Sequence, residues 1–178
     1  MTTSIPLRPV SVSGFGGVAV SPHFLSTAAA LAILDQGGNA VDAAIAMNAV
    51  QGVVAPETCG IGGDLFALVW SDGGSAPKAL NSSGRAGSGV DAAALRQAGH
   101  TEIPQRHPGA VPVPGCVDGW IALRSALGSL DLGDLLAPAT RLARDGFPAN
   151  REMAAAFARR ADELVGEDGA ADMYAGGR

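Results

Sequence analysis

Few residues of this sequence are of a type that does covalent chemistry, and they are scattered. Cys59 stands beside the glycine-rich run Gly60-Ile61-Gly62-Gly63 and has the type of a nucleophile. No His, Lys or Arg lies close to it in sequence, and a thiol without a cationic neighbour keeps its proton, so Cys59 reads as a buried structural thiol. The second cysteine, Cys116, makes no CxxC spacing with it, and His23, His100 and His107 do not cluster with either. A structural zinc site needs four convergent Cys or His ligands, and two cysteines are too few for a disulfide framework, so no metal and no cofactor is expected. His23 sits at a helix start, where a positive charge would oppose the helix dipole, and reads as an uncharged packing or surface residue. The run at Gly60 lacks the Gly-Lys-Ser/Thr ending of a phosphate loop and precedes a strand, so it reads as a tight turn.

These residues must be held by a globular scaffold. The 178 residues are 47% hydrophobic and 16% charged, a composition that can bury a core. The net charge of −5 and the absence of any basic run exclude the electrostatic footprint of a nucleic-acid binder. The longest apolar stretch, from Ala40 to Val54, is interrupted by Asp42, Asn48 and Gln51 and is too short to span a membrane. Residues 1–17 show no basic region followed by an apolar one, so the expected location is the cytoplasm.

Residues 1–16 read as an irregular arm, punctuated by Pro6, Pro9, Gly14 and Gly16. Gly17 to Val20 reads as a short buried strand. Ser21-Pro22 has the form of a helix start, opening a helix to about Gln36 with Leu25, Ala28, Ala29, Ala32 and Ile33 on one side. Gly37-Gly38 ends it. Asn39 caps the next helix, with Asp42 in the reciprocal position of a capping box and Val41, Ala44, Ile45 and Asn48 on one face. Asp64 to Trp70 is apolar on both alternating faces, the pattern of a strand covered on both sides, with the Asn39–Val53 helix among its covers. On that reading Phe66→Ala would open an aromatic cavity costing about 3–5 kcal/mol. Lys78 to Ser82 is its hairpin partner. A short helix near Asp91 to Gln97, a proline-rich loop from Ile103 to Gly115, and helices over roughly 117–126, 134–144 and 151–165 follow, then a frayed tail, residues 166–178. The class is α/β or α+β, in one unit over residues 17–165, with too few strands to close a sheet.

Five ordered blocks carry a resemblance. They are Gly37-Gly38-Asn39-Ala40-Val41-Asp42-Ala43-Ala44; Val54-Ala55-Pro56-Glu57 with Gly60 to Phe66; Val113-Pro114-Gly115-Cys116-Val117-Asp118-Gly119-Trp120; Leu135-Leu136-Ala137-Pro138-Ala139; and Ala143-Arg144-Asp145-Gly146-Phe147-Pro148. Together they resemble the front part of the γ-glutamyltranspeptidase family. The resemblance implies an N-terminal-nucleophile hydrolase fold, a four-layer αββα sandwich, of which this chain would form a part. It also implies a self-cleaving precursor whose new N-terminal Thr attacks an amide carbonyl, with its own α-amine as base. That Thr stands in a T-T-H-x-S-like sequence. Thr2, Thr3, Thr27, Thr58, Thr101 and Thr140 lie in no such setting, so no catalytic residue is expected here. The implied partners are a small-molecule amide, the rest of the large subunit, and a small subunit carrying the Thr. Glutamyl-selective members carry an R-E-x-A-P-like stretch whose Arg pairs with the substrate α-carboxylate. Here Asn81-Ser82-Ser83-Gly84-Arg85-Ala86-Gly87 stands instead, with the Arg shifted and the Glu missing, closer to the amidohydrolase and acylase-like members. Arg85 is therefore the candidate substrate-binding residue, facing an anionic group, against the alternative of a turn arginine bonded to backbone carbonyls. A chemically inert relative serving as a binding or structural domain is the competing function.

Overall fold

The computed structural model describes residues 11–104 and 107–165. Helices α1 (Phe24–Asp35) and α2 (Ala40–Val54) form an antiparallel pair, and a hairpin of β1 (Leu65–Val69) and β2 (Lys78–Ser82) follows. Then come α3 (Ala92–Gln97), a 3-10 turn (Pro108–Ala110), α4 (Cys116–Leu127), α5 (Leu132–Asp145) and α6 (Arg151–Val165). Helix α2 is the central element. It packs against α1, α4 and α5, and Ile33, Ile45, Val50, Val54 and Leu135 are fully buried around it. None of the described helices is long and apolar enough to cross a membrane.

The α1–α2 corner follows from Gly37-Gly38-Asn39. Gly37 takes φ +89°, and the amides of Gly37 and Gly38 bond back to Leu34 and Ile33 carbonyls, closing α1. A Cβ on Gly38 would lie 2.6 Å from the Ile33 side chain and 2.9 Å from that of Leu130, so only glycine passes there. The capping box is present as expected: Asn39 Oδ1 accepts from the Val41 and Asp42 amides, and Asp42 accepts from the Asn39 amide.

The same two side chains reach across to the α4–α5 connection. Asn39 Nδ2 donates to the Leu127 carbonyl at 2.8 Å. Asp42, fully buried, also accepts from the Ser129 amide at 3.1 Å, the Ser129 hydroxyl, and more distantly the Leu130 amide. Burial alone would raise its pKa, but the bonds from Ser129, Asn39 and Leu130 outweigh that and hold it below the ordinary value of 3.8.

Several expectations from sequence are corrected. Residues 17–20 form no strand, and Val18 and Val20 are exposed, because no described strand lies beside them to pair with. Helix α1 starts at Phe24, capped by His23 rather than Ser21. The His23 Nδ1 accepts from the Leu25 amide at 3.2 Å, while Ser21 Oγ bonds the His23 carbonyl. The buried face of α1 is Ser26, Ala29, Ala30 and Ile33, and Ala28, Ala32 and Ala44 are exposed. The face shift admits Ser26, whose hydroxyl donates to the Met47 carbonyl and joins α1 to α2. Among the described residues strand β1 is covered on one face only, chiefly by α4 and by the core cluster to which α2 contributes. Leu65 and Val69 face the core, while Phe66, Leu68 and Trp70 are 64%, 76% and 64% exposed. The hairpin and the four later helices lie where the sequence places them, within one or two residues. Residues 1–10 of the arm and the tail 166–178 lie outside the described residues, and residues 11–16 are exposed without a regular element.

Two outcomes are expected. Asp42→Ala leaves several buried donors unpaired and lowers unfolding free energy by about 2–4 kcal/mol in denaturant titration. Because the folded pKa is depressed, Asp42 contributes fully above the unfolded value and its contribution falls as pH drops through about 4, so the variant has the flatter acid limb. Phe66→Ala, on an exposed site, costs well under the about 3–5 kcal/mol of a core aromatic.

Candidate functional site

The end of β2 and the segment after it are fastened to the approach of α4 by one side-chain and two backbone contacts. Ser82 Oγ donates to the Gly115 carbonyl at 2.8 Å, the Val113 amide donates to the Arg85 carbonyl at 2.8 Å, and Ala86 pairs with Pro112 in an isolated bridge. The approach is too close for side chains. Gly84, at φ +70°, would place a Cβ 2.0 Å from the Val113 oxygen, and Gly115 would place one 2.2 Å from the Ser82 oxygen. Gly119, one turn into α4, meets Leu65 in the same way and lets the helix lie on the hairpin. The V-P-G-x-V-x-G stretch and Ser82-Ser83-Gly84-Arg85 are thus two halves of one clasp.

Arg85 sits on this clasp with its side chain exposed and, among the described residues, bonded to no carboxylate and no carbonyl. Its position is fixed by its own carbonyl and by the bridge at Ala86, so the guanidinium projects from a rigid base. Asn81, at the end of β2, uses Oδ1 to accept from the Ser83 amide and shapes the turn.

Below the clasp, the Gly60–Gly63 run forms the tight turn read from sequence, closed by the Gly63 amide on the Gly60 carbonyl. The Gly63 carbonyl accepts from both the Gly115 and Cys116 amides, satisfying the start of α4, which has no side-chain cap. Asn48, on α2, accepts from Trp120 Nε1 at 2.9 Å and from the Cys116 thiol at 3.7 Å. Asn48, Cys59, Asp64, Cys116 and Trp120 line a cavity of about 30 Å3. Cys116 is buried, but Cys59 is only half-buried, because it stands at the open end of the turn. Burial pushes both thiols above the ordinary value of 9.0, and neither has the environment of an activated nucleophile.

His100 and His107, unconnected in sequence, come together beside α3 with ring centroids 6.1 Å apart, in a cavity of about 540 Å3. Nothing in their spacing announced it. His107 Nδ1 accepts from the Gly109 amide, so its Nε2 carries the proton and neither nitrogen offers a lone pair to a metal. Among the described residues no three His, Cys, Asp or Glu side chains converge on a metal position.

The family model for gamma-glutamyltranspeptidase matches residues 26–178. The chain is 39% identical over 165 residues to the glutathione hydrolase-like YwrD proenzyme of Bacillus subtilis, an alignment covering 92% of this chain and 31% of that one. It is 40% identical over 164 residues to the oxamate amidohydrolase proenzyme of Klebsiella pneumoniae, covering 89% and 30%. Among solved structures, it matches gamma-glutamyltranspeptidase of Helicobacter pylori with a TM-score of 0.82 at 26% identity, over 92% of this chain and 47% of that chain. It matches a cephalosporin acylase from Bacillus halodurans with a TM-score of 0.72 at 40% identity, over 81% and 27%. The chain spans about a third of the length of these curated relatives. Its helices and hairpin are part of the mixed α/β fold of N-terminal-nucleophile hydrolases. The chain belongs to the gamma-glutamyltranspeptidase family.

Proposed function

We propose that this chain is the substrate-facing front portion of an amide hydrolase or acyltransferase whose nucleophile comes from polypeptide outside this sequence. The reacting hydroxyl is an N-terminal Thr. Its α-amine takes the hydroxyl proton as the oxygen attacks the amide carbonyl, and the amine product leaves with a proton. The resulting ester is resolved by water or by an amine acceptor. The remaining polypeptide also covers the outer hairpin face, where Phe66, Leu68 and Trp70 stand exposed on a strand whose sequence is apolar on both sides.

The observation that carries the substrate reading is Arg85, an exposed guanidinium on a rigid clasp with no carboxylate beside it among the described residues. A fixed guanidinium without an internal partner suits recognition of a carboxylate or similar anion on the substrate. The turn that carries it departs from the glutamyl-selective pattern. The similarity to an oxamate amidohydrolase and to a cephalosporin acylase supports small carboxylate-bearing amides other than γ-glutamyl donors. Loss of a well-placed Arg against the glutamyl α-carboxylate costs roughly 2–5 kcal/mol, about 30- to several-thousand-fold in kcat/KM.

Two outcomes follow. The purified chain alone releases no amine from a γ-glutamyl anilide or a simple acyl amide. Turnover that disappears on mutating a residue of this chain, with no second polypeptide present, contradicts the assignment. When the chain is co-expressed with a polypeptide carrying the T-T-H-x-S-like segment, γ-glutamyl donors are poor substrates and other carboxylate-bearing amides better ones. Arg85→Ala then lowers kcat/KM about tenfold for carboxylate-bearing amides and leaves neutral amides unchanged, with Arg85→Lys intermediate. Equal losses on both donor classes contradict the Arg85 role, and absence of all turnover in the co-expressed protein favours an inert binding domain.

A further inference from the structure

Cys59 and Cys116 take no part in the chemistry proposed above, yet the fold brings them to one place from segments far apart in sequence. Both line the same cavity of about 30 Å3, roughly the space of a single water molecule. The path between them is short. The Cys116 amide donates to the Gly63 carbonyl at 3.0 Å, and the Gly63 amide donates to the Gly60 carbonyl at 3.2 Å, so Cys59 adjoins one end of a four-residue turn whose other end is bonded to Cys116 itself. Such a turn holds its ends within about 7 Å. Helix α2 brackets both thiols from behind. Asn48 receives the Cys116 thiol, and a Cβ on Gly52, one turn on, would lie 3.6 Å from the Gly60 Cα. The turn also has room to adjust, because a Cβ on Gly60 or Gly62 would meet nothing within 4 Å.

We propose that Cys59 and Cys116 are a redox pair that closes to an intramolecular disulfide across this cavity, stapling the Gly60–Gly63 turn to the start of α4. The oxidant is a low-molecular-weight disulfide. Half-buried Cys59 loses its proton and attacks one sulfur of the reagent, forming a mixed disulfide and releasing one thiolate, which takes up a proton. Buried Cys116 then loses its proton and attacks the Cys59 sulfur, releasing the second reagent thiol. The two protein thiols lose two electrons and two protons in total, and one reagent disulfide becomes two thiols. The order follows from exposure, since Cys116 is 3% exposed and cannot meet the reagent first. The staple fixes the turn that supports Gly115, and through it the Ser82–Gly115 half of the clasp.

The test treats the purified chain with cystamine at mildly alkaline pH; cystamine has no γ-glutamyl bond for this family's chemistry to cleave. Intact mass is then read before and after alkylation under denaturing conditions. The expected product is monomeric, lighter by two hydrogens, and takes up no alkylating agent, while reduction restores two alkylation sites. Cys116→Ser stops at the cystamine adduct on Cys59. Cys59→Ser, at the more exposed position, leaves Cys116 unmodified while the chain is folded and keeps the test sound if Cys116→Ser folds poorly. A wild-type product that stops at the Cys59 adduct with Cys116 still alkylatable overturns the proposal, as does a disulfide-linked dimer or no reaction at all.

Discussion

The buried carboxylate of Asp42 is the constraint on which the rest of the arrangement depends. A carboxylate moved out of water is expensive unless donors surround it, and here they come from two places in the chain. Its own helix start supplies the Asn39 amide, and the loop between α4 and α5 supplies Ser129 and Leu130. Breaking that convergence would strand a charge in the core, so the α1–α2 corner and the α4–α5 corner are held together. Glycine is required on both sides of the node: Gly38 passes between Ile33 and Leu130, and a Cβ on Gly128 would lie 2.8 Å from an Asp42 oxygen. The G-G-N-x-x-D run therefore does structural work, closing one helix, opening the next and fastening a third and fourth.

With α4 anchored at its C-terminal end through Leu127 and Ser129, its N-terminal end is free to organise the side that carries Arg85. Gly63 receives the first amides of α4, Gly119 lets the helix lie against β1, and the Val113–Gly115 approach clasps the segment that carries Arg85. A rigid backbone beneath an exposed guanidinium reduces the ordering cost of binding an anion. Node and clasp thus lie at opposite ends of one helix, joined by the Trp120–Asn48 bond to α2 midway.

Local signals were legible because local chemistry decides them. The capping box at Asn39 and Asp42, the Gly37-Gly38 stop and the β1–β2 hairpin rest on interactions within a few residues, and the structure contains each of them. The far half of the Asp42 node was not legible, since nothing near Ser129 signals a partner 87 residues away. The cap of α1 was misplaced because Ser21-Pro22 has the better local form, while burial of His23 lets its imidazole take the role. The double-sided apolar pattern of β1 points to cover on both faces, but only one face is covered by described residues, because pattern alone does not say which neighbours are present. Arg85 was visible as a departure from a family pattern. Its rigid setting was not, because the clasp is made by contacts between distant segments, mostly through the backbone, and only Gly84 and Gly115 hint at the close approach. The Cys59–Cys116 cavity was missed for the same reason.

Native-state hydrogen exchange on the chain and on Asp42→Asn tests the central claim most directly, because it reads each segment separately. If the carboxylate joins the two corners, the substitution lowers protection together across α1, α2, α4 and α5, including core amides such as Ile45 and Leu135 that touch Asp42 through no hydrogen bond. Faster exchange confined to the amides of Asn39, Ser129 and Leu130, with the core of α2 and α5 unchanged, would show that Asp42 caps its surroundings without holding the fold together.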